Sequence, residues 1–89
     1  MLIALIAKDK PGALQTRLDN RTAHLGYIEE TGIVAQAGPL LDGDAMIGSL
    51  IILDVEDSAA AQKWADNDPY AKAGLFQSVE LIPWKKVIG

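Results

Sequence analysis

An α+β fold, with helices on one face of an antiparallel four-stranded sheet, is predicted by three features of this chain. Apolar runs of strand length recur four times, helical spacing appears between the first and second and between the third and fourth, and turn residues separate them all. The resulting order, β-α-β-β-α-(α)-β, is the ferredoxin-like arrangement.

Leu2 to Ala7 reads as the first strand, apolar on both faces and bounded by Lys8-Asp9-Lys10. Pro11 is expected to open a long helix, because a missing N–H costs nothing in the first turn. That helix runs to about Thr31, where Gly32 supplies a left-handed stop. Ile33–Ala37 forms the second strand, ended by Gly38-Pro39, and Gly43 marks a turn. Met46–Val55 is a third, nearly continuous apolar strand. Asp57 or Ser58 then caps a second helix whose inward side carries Ala61, Trp64 and Ala65. Asp68 caps a short third helix with Pro69 at its first position, and Gly74 stops it. Phe76–Ile82 alternates as the fourth strand before the closing Pro83–Ile88. Trp64, Trp84 and Phe76 read as core or interface residues.

The 89 residues make a single domain, residues 1–89, with no repeat, linker or low-complexity segment. A net charge of −4 without a basic stripe argues against nucleic-acid binding. The expected third strand has no aromatic residue on which an RNA base could stack. With no cysteine and one histidine, the usual zinc site cannot be assembled, and no cofactor is implied. Neither a phosphate-binding glycine loop nor a hydrolase nucleophile elbow occurs. The apolar N-terminus is too short to span a bilayer and lacks a basic flank, so the expected location is the cytoplasm. Because the first and third strands are apolar on both sides, the sheet face without helices needs a cover. A second copy packed sheet to sheet is the expected one.

The candidate site residues centre on His24, the only histidine. Leu14, Leu18, Leu25 and Ile28 form an apolar helical stripe expected to face the core. Arg21 projects into its middle, and His24 and Arg17 share one flank. A cation inside such a stripe must be answered by a carboxylate, from the protein or from a bound anion, or snorkel to the surface. His24 suits general acid–base work near neutral pH. Asp68, besides capping, can hold an imidazole in one tautomer. The Tyr70 phenol can donate to a substrate oxygen, or simply pack. Gly38 permits a close approach of a ligand, or makes a turn, and Ser49 is either a satisfied buried hydroxyl or a pocket donor.

His24, Arg21, Asp68, Tyr70 and Gly38 fall within runs that resemble the YCII-related family of the dimeric α+β barrel group. The resemblance is carried by Asp9-Lys10-Pro11, Arg17, Arg21–Leu25, Ala37–Leu40, Ala60–Ala65, Asn67–Tyr70, Ala73–Leu75 and Pro83–Lys86, and it spans the chain. It implies two protomers with paired sheets, and a pocket whose proposed active-site histidine and aspartate match His24 and Asp68. Family members that act as a dehydrochlorinase, and related muconolactone-type isomerases, imply proton abstraction from small cyclic carbonyl acids. The short Leu41–Ala45 loop departs from the family pattern at the pocket rim. The reading is therefore a lyase or isomerase using a His24–Asp68 pair, with Arg21, Tyr70, Gly38 and Ser49 binding a small anionic substrate. The alternatives are a non-catalytic ligand-binding domain and an accessory dimerisation module; haem held by the lone histidine is a weaker option.

Overall fold

The computed structural model describes residues 1–89. In chain order its elements are β1 (Leu2–Asp9), α1 (Leu14–Thr31), β2 (Val34–Asp42), β3 (Ala45–Asp54), α2 (Ser58–Asn67), α3 (Pro69–Lys72) and β4 (Phe76–Trp84). The strands form one antiparallel sheet in the order β2-β3-β1-β4, the ferredoxin-like topology. No helix is long and apolar enough to cross a membrane.

Alternation places Ile3, Leu5 and Ala7 of β1 on the face beneath the helices, beside Leu53, Ile51 and Ser49 of β3. Ala61, Trp64 and Ala65 of α2 close over them, as the sequence predicts. The Trp64 indole N–H donates to Thr31 Oγ1 at 2.9 Å, and the Tyr27 hydroxyl donates to the Trp64 carbonyl at 2.8 Å. These two bonds tie α2 to the C-terminal half of α1. Asp57 caps α2 through the Ala60 N–H, and Gly32 ends α1 with φ of 65°.

Several boundaries differ from the sequence reading: β1 runs on to Asp9 and β4 to Trp84, and two further shifts have a clear local cause. α1 begins at Leu14 rather than Pro11, because Pro11-Gly12 forms a turn with Gly12 at φ of 73°. Gly38-Pro39 does not end β2, which continues to Asp42. Proline is tolerated there because β2 is an edge strand, paired only with β3.

The larger correction concerns α1. The stripe of Leu14, Leu18 and Leu25 does not face the core: these residues are 45%, 45% and 49% exposed, and Arg21 is exposed with them. The buried residues of the helix are Arg17 and His24. At about 100° per residue this face is turned roughly a quarter of a circle from the leucine stripe. Ile28, on the border between the two, is half-buried.

The opposite face of the sheet is largely apolar, as expected, carrying Ala4 and Ile6 of β1, Leu50 and Ile52 of β3, and Ile82 and Trp84 of β4, with Gln36 and Glu80 beside them. Leu50, Ile82 and Trp84 remain exposed.

Gly48 is where the sheet tolerates no side chain. A Cβ there would run into the Ala7 carbonyl oxygen of β1 and lie 3.1 Å from Leu40 Cδ1. Gly48→Ala is expected to cost about 1–3 kcal/mol, the usual range for overpacking. Denaturant titration measures this, and an unchanged midpoint would contradict the packing described.

Candidate active site

The buried face of α1 is polar, and each polar group on it has a partner on another element. Arg17, 3% exposed, donates through Nε to Asp9 Oδ2 at 2.7 Å and through Nη2 to Asp9 Oδ1 at 2.9 Å. This is the two-pronged geometry that planar guanidinium and carboxylate groups favour. Nη2 also donates to Ser49 Oγ at 2.9 Å. Burial alone would lower the pKa of Arg17, but hydrogen bonding and charge from Asp9, with Tyr70 adding to both, hold it above the ordinary arginine value. The guanidinium therefore stays charged at neutral pH.

One helical turn pair further on, His24 Nδ1 lies 2.7 Å from Asp68 Oδ1. The same oxygen accepts the Tyr70 backbone N–H at 3.0 Å, so the residue that caps α3 also meets the imidazole. A carboxylate oxygen that already accepts one N–H sets the proton on Nδ1, because the charged acceptor requires a donor facing it. Nε2 is then the free ring nitrogen. Asp68 is 1% exposed, and its Oδ2 is the one buried side-chain polar atom with no hydrogen-bond partner.

Tyr70 joins the two clusters. Its ring stacks on His24 with centroids 3.9 Å apart at an angle of 14°, and the Arg17 guanidinium carbon lies 4.7 Å from its centroid. Phe76 meets the ring edge-on at 6.0 Å. Burial pushes the Tyr70 phenol up, against the pull of Arg17 and Arg21 and with the help of Asp68, so it stays a neutral donor.

A cavity of about 180 Å³ opens between α1 and the β2–β3 hairpin. His24, Arg17, Ser49 and Tyr70 line it, with Arg21 beside them and Gly38-Pro39 on the far wall. Leu25, Ile28, Met46 and Ile51 supply its apolar surface. The structure thus brings together His24, Asp68, Arg21, Tyr70, Gly38 and Ser49. Asp68 stands behind His24 rather than on the cavity wall. Of the two readings open for Arg21, a buried cation or one at the surface, the second holds: it is exposed, and no protein carboxylate pairs with it. The buried cation is Arg17, which the leucine periodicity hid, and the only hint of it was its shared flank with His24. No three histidine, aspartate or glutamate side chains cluster as metal ligands would.

The two arginines should respond oppositely to removal. Arg17→Leu strands the buried Asp9 carboxylate and is expected to cost about 3–5 kcal/mol, whereas Arg21→Leu stays within about 0.5 kcal/mol of the parent. Equilibrium unfolding in urea distinguishes them, and equal effects would contradict the burial assignment. Both tyrosines of the chain have raised pKa values, each chiefly from burial. Since the neutral phenol is the form favoured by folding, their contribution is complete below the ordinary value near 10 and is lost as pH rises through the higher folded values. Ultraviolet titration should show phenolate appearing only above about pH 10 in the native protein, and earlier in the denatured one. Native phenolate below that point would refute the account.

The YCII-related domain model matches residues 1–85. Protein YciI of Escherichia coli O6:H1 is 38% identical over 97 aligned positions, covering 98% of this chain and 99% of that protein. An uncharacterized protein of Haemophilus influenzae is 32% identical with the same coverage. Among solved structures, 5-chloro-2-hydroxyhydroquinone dehydrochlorinase from Burkholderia phenoliruptrix AC1100, in complex with 2,5-dihydroxybenzoquinone, is similar at 37% identity and a TM-score of 0.87. That match covers 96% of this chain and 94% of the dehydrochlorinase. An antibiotic biosynthesis monooxygenase, 14% identical with a TM-score of 0.58, shares the fold. By sequence along its whole length and by fold, the chain belongs to the YCII-related family.

Proposed function

We propose that this protein is a cytoplasmic lyase or isomerase that acts on a small anionic or cyclic carbonyl substrate through His24 and Asp68. The observation that carries the reading is the 2.7 Å contact between a buried Asp68 and Nδ1 of His24, which itself lines a cavity large enough for one six-membered ring. Asp68 fixes the imidazole, so Nε2 presents a lone pair to the cavity. Nε2 takes a proton from a carbon next to a carbonyl, or from a ring hydroxyl, and the electron pair flows toward the carbonyl oxygen. An enolate then expels a leaving group from the neighbouring carbon or is reprotonated elsewhere by the imidazolium. A phenolate is instead protonated by the imidazolium at its chlorine-bearing carbon, and the ketone so formed loses chloride as a second ring hydroxyl gives up its proton, leaving a quinone. Arg21, free of protein carboxylates, holds the permanent negative charge of the substrate at the mouth. The dehydrochlorinase, similar along nearly the whole chain, supports this reaction class.

Release of chloride from 5-chloro-2-hydroxyhydroquinone is the direct assay. His24→Gln is expected to lower kcat by at least about 100-fold, the lower end of what general acid–base catalysis supplies. Arg21→Gln should weaken inhibition by a ring carboxylate such as benzoate while leaving kcat on this uncharged triphenol nearly unchanged, because Arg21 answers a permanent charge in binding alone. A parent protein that releases no chloride, or a His24→Gln variant that matches it, would remove the proposal.

As part of the same reading, two copies pair through their open sheet faces, covering Leu50, Ile82 and Trp84. Sedimentation should give twice the 9.5 kDa chain mass at micromolar concentration. A 9.5 kDa species would contradict the pairing.

A further inference from the structure

The Ser49 hydroxyl has one hydrogen-bonding role left to it. Ser49 lies in β3 between Ala7 of β1 and Pro39 of β2, is 2% exposed, and lines the cavity. Its oxygen accepts from Arg17 Nη2, and a guanidinium has no acceptor to offer in return. No other protein group accepts the Ser49 proton. A serine beside a neutral partner can rotate between donating and accepting. Beside a fixed guanidinium it is left as a donor, and the cavity is where an acceptor can stand.

Arg17 is itself only partly used. Nε and Nη2 are committed to Asp9 and Ser49, whereas Nη1 donates to neither of them. It is also not among the sealed, unpartnered polar atoms, of which Asp68 Oδ2 is the single case. The charge of Arg17 is already answered by the two oxygens of Asp9, so this corner offers hydrogen-bond donors without an uncompensated positive charge. Arg21 is the opposite: a cation without a protein carboxylate at the same cavity. The two arginines therefore suit different parts of one ligand. A permanent anion is best placed against Arg21. A delocalised oxygen whose charge develops during reaction is best placed against Ser49 and Arg17, where fixed donors stabilise it without reorganising.

We propose that Ser49, held as a donor by Arg17, forms an oxyanion corner that binds the enolate or phenolate oxygen of a small ring. As a catalytic role this rests on the reaction assigned to His24; as a binding site it stands alone. When Nε2 removes the proton, the carbonyl π pair moves onto this oxygen and Ser49 donates to it. No bond to Ser49 forms, and its proton stays on its oxygen.

The probe is 4-nitrophenolate, at about pH 8.5, where it is the anion and the tyrosines are still protonated. Its absorption moves to shorter wavelength when its oxygen accepts hydrogen bonds. The band of the parent complex should lie at shorter wavelength than that of the Ser49→Ala complex. Ser49→Ala, which removes a single oxygen, should weaken binding about tenfold and return the bound band toward longer wavelength, as expected for one lost donor to a charged acceptor. Ser49→Thr, which keeps the hydroxyl, should retain the shift. If the parent does not bind the phenolate, or if folded Ser49→Ala binds it with unchanged affinity and spectrum, the corner is refuted. Failure of chloride release with a positive Ser49 result removes the chemistry assigned to His24 and leaves the oxyanion site standing.

Discussion

One carboxylate oxygen, Asp68 Oδ1, joins the fold to the site. It accepts the Tyr70 backbone N–H that starts α3 and lies 2.7 Å from His24 Nδ1. The geometry that begins a four-residue helix is therefore the geometry that orients the imidazole. It also sets the Tyr70 ring flat against His24, 3.9 Å away. Capping alone is worth about 1 kcal/mol. The burial of this carboxylate, with its second oxygen unpartnered, costs more than a cap needs to, which is the pattern expected where a charge is kept for orientation.

Around that oxygen the protein builds a layered polar interior. Arg17 and His24 lie on the same face of α1, seven residues apart, with the Tyr70 ring between their functional ends. Each is answered from a different element: Asp9 from β1, Ser49 from β3, Asp68 from the α2–α3 junction. A helix that presents a cation and an imidazole to a core can dock in one register only, because any other leaves a buried charge without its partner. The apolar contribution comes from α2, whose Ala61, Trp64 and Ala65 pack on β1 and β3. The two helices thus divide the work between hydrophobic burial and positioned polar groups.

Much of this was legible in the sequence. The element order, the Asp57 and Asp68 caps and the Gly32 stop follow from local chemistry, since a cap needs only residues within a turn of itself. His24 and Asp68 were legible as candidates because their residue types are scarce or positionally marked. The face on which α1 packs was not. Periodicity finds an apolar stripe, and Leu14, Leu18 and Leu25 form one, but packing depends on what waits across the interface. Asp9 and Ser49 lie on strands 8 and 32 residues from Arg17, and no local pattern links them. The same blindness made Arg21 stand out and Arg17 recede. Gly38-Pro39 read as a strand end because proline breaks a central strand, and only the observed strand order reveals that β2 is an edge.

The central claim is that Asp68 holds His24 with its proton on Nδ1 and its lone pair on Nε2. Because the chain has one histidine, long-range nitrogen-15 NMR of the ring reads this without assignment ambiguity. At a pH where the imidazole is neutral, the account predicts a protonated Nδ1 and an unprotonated Nε2, with the pattern collapsing to an averaged one in Asp68→Ala. A ring protonated on Nε2 in the native protein would contradict it.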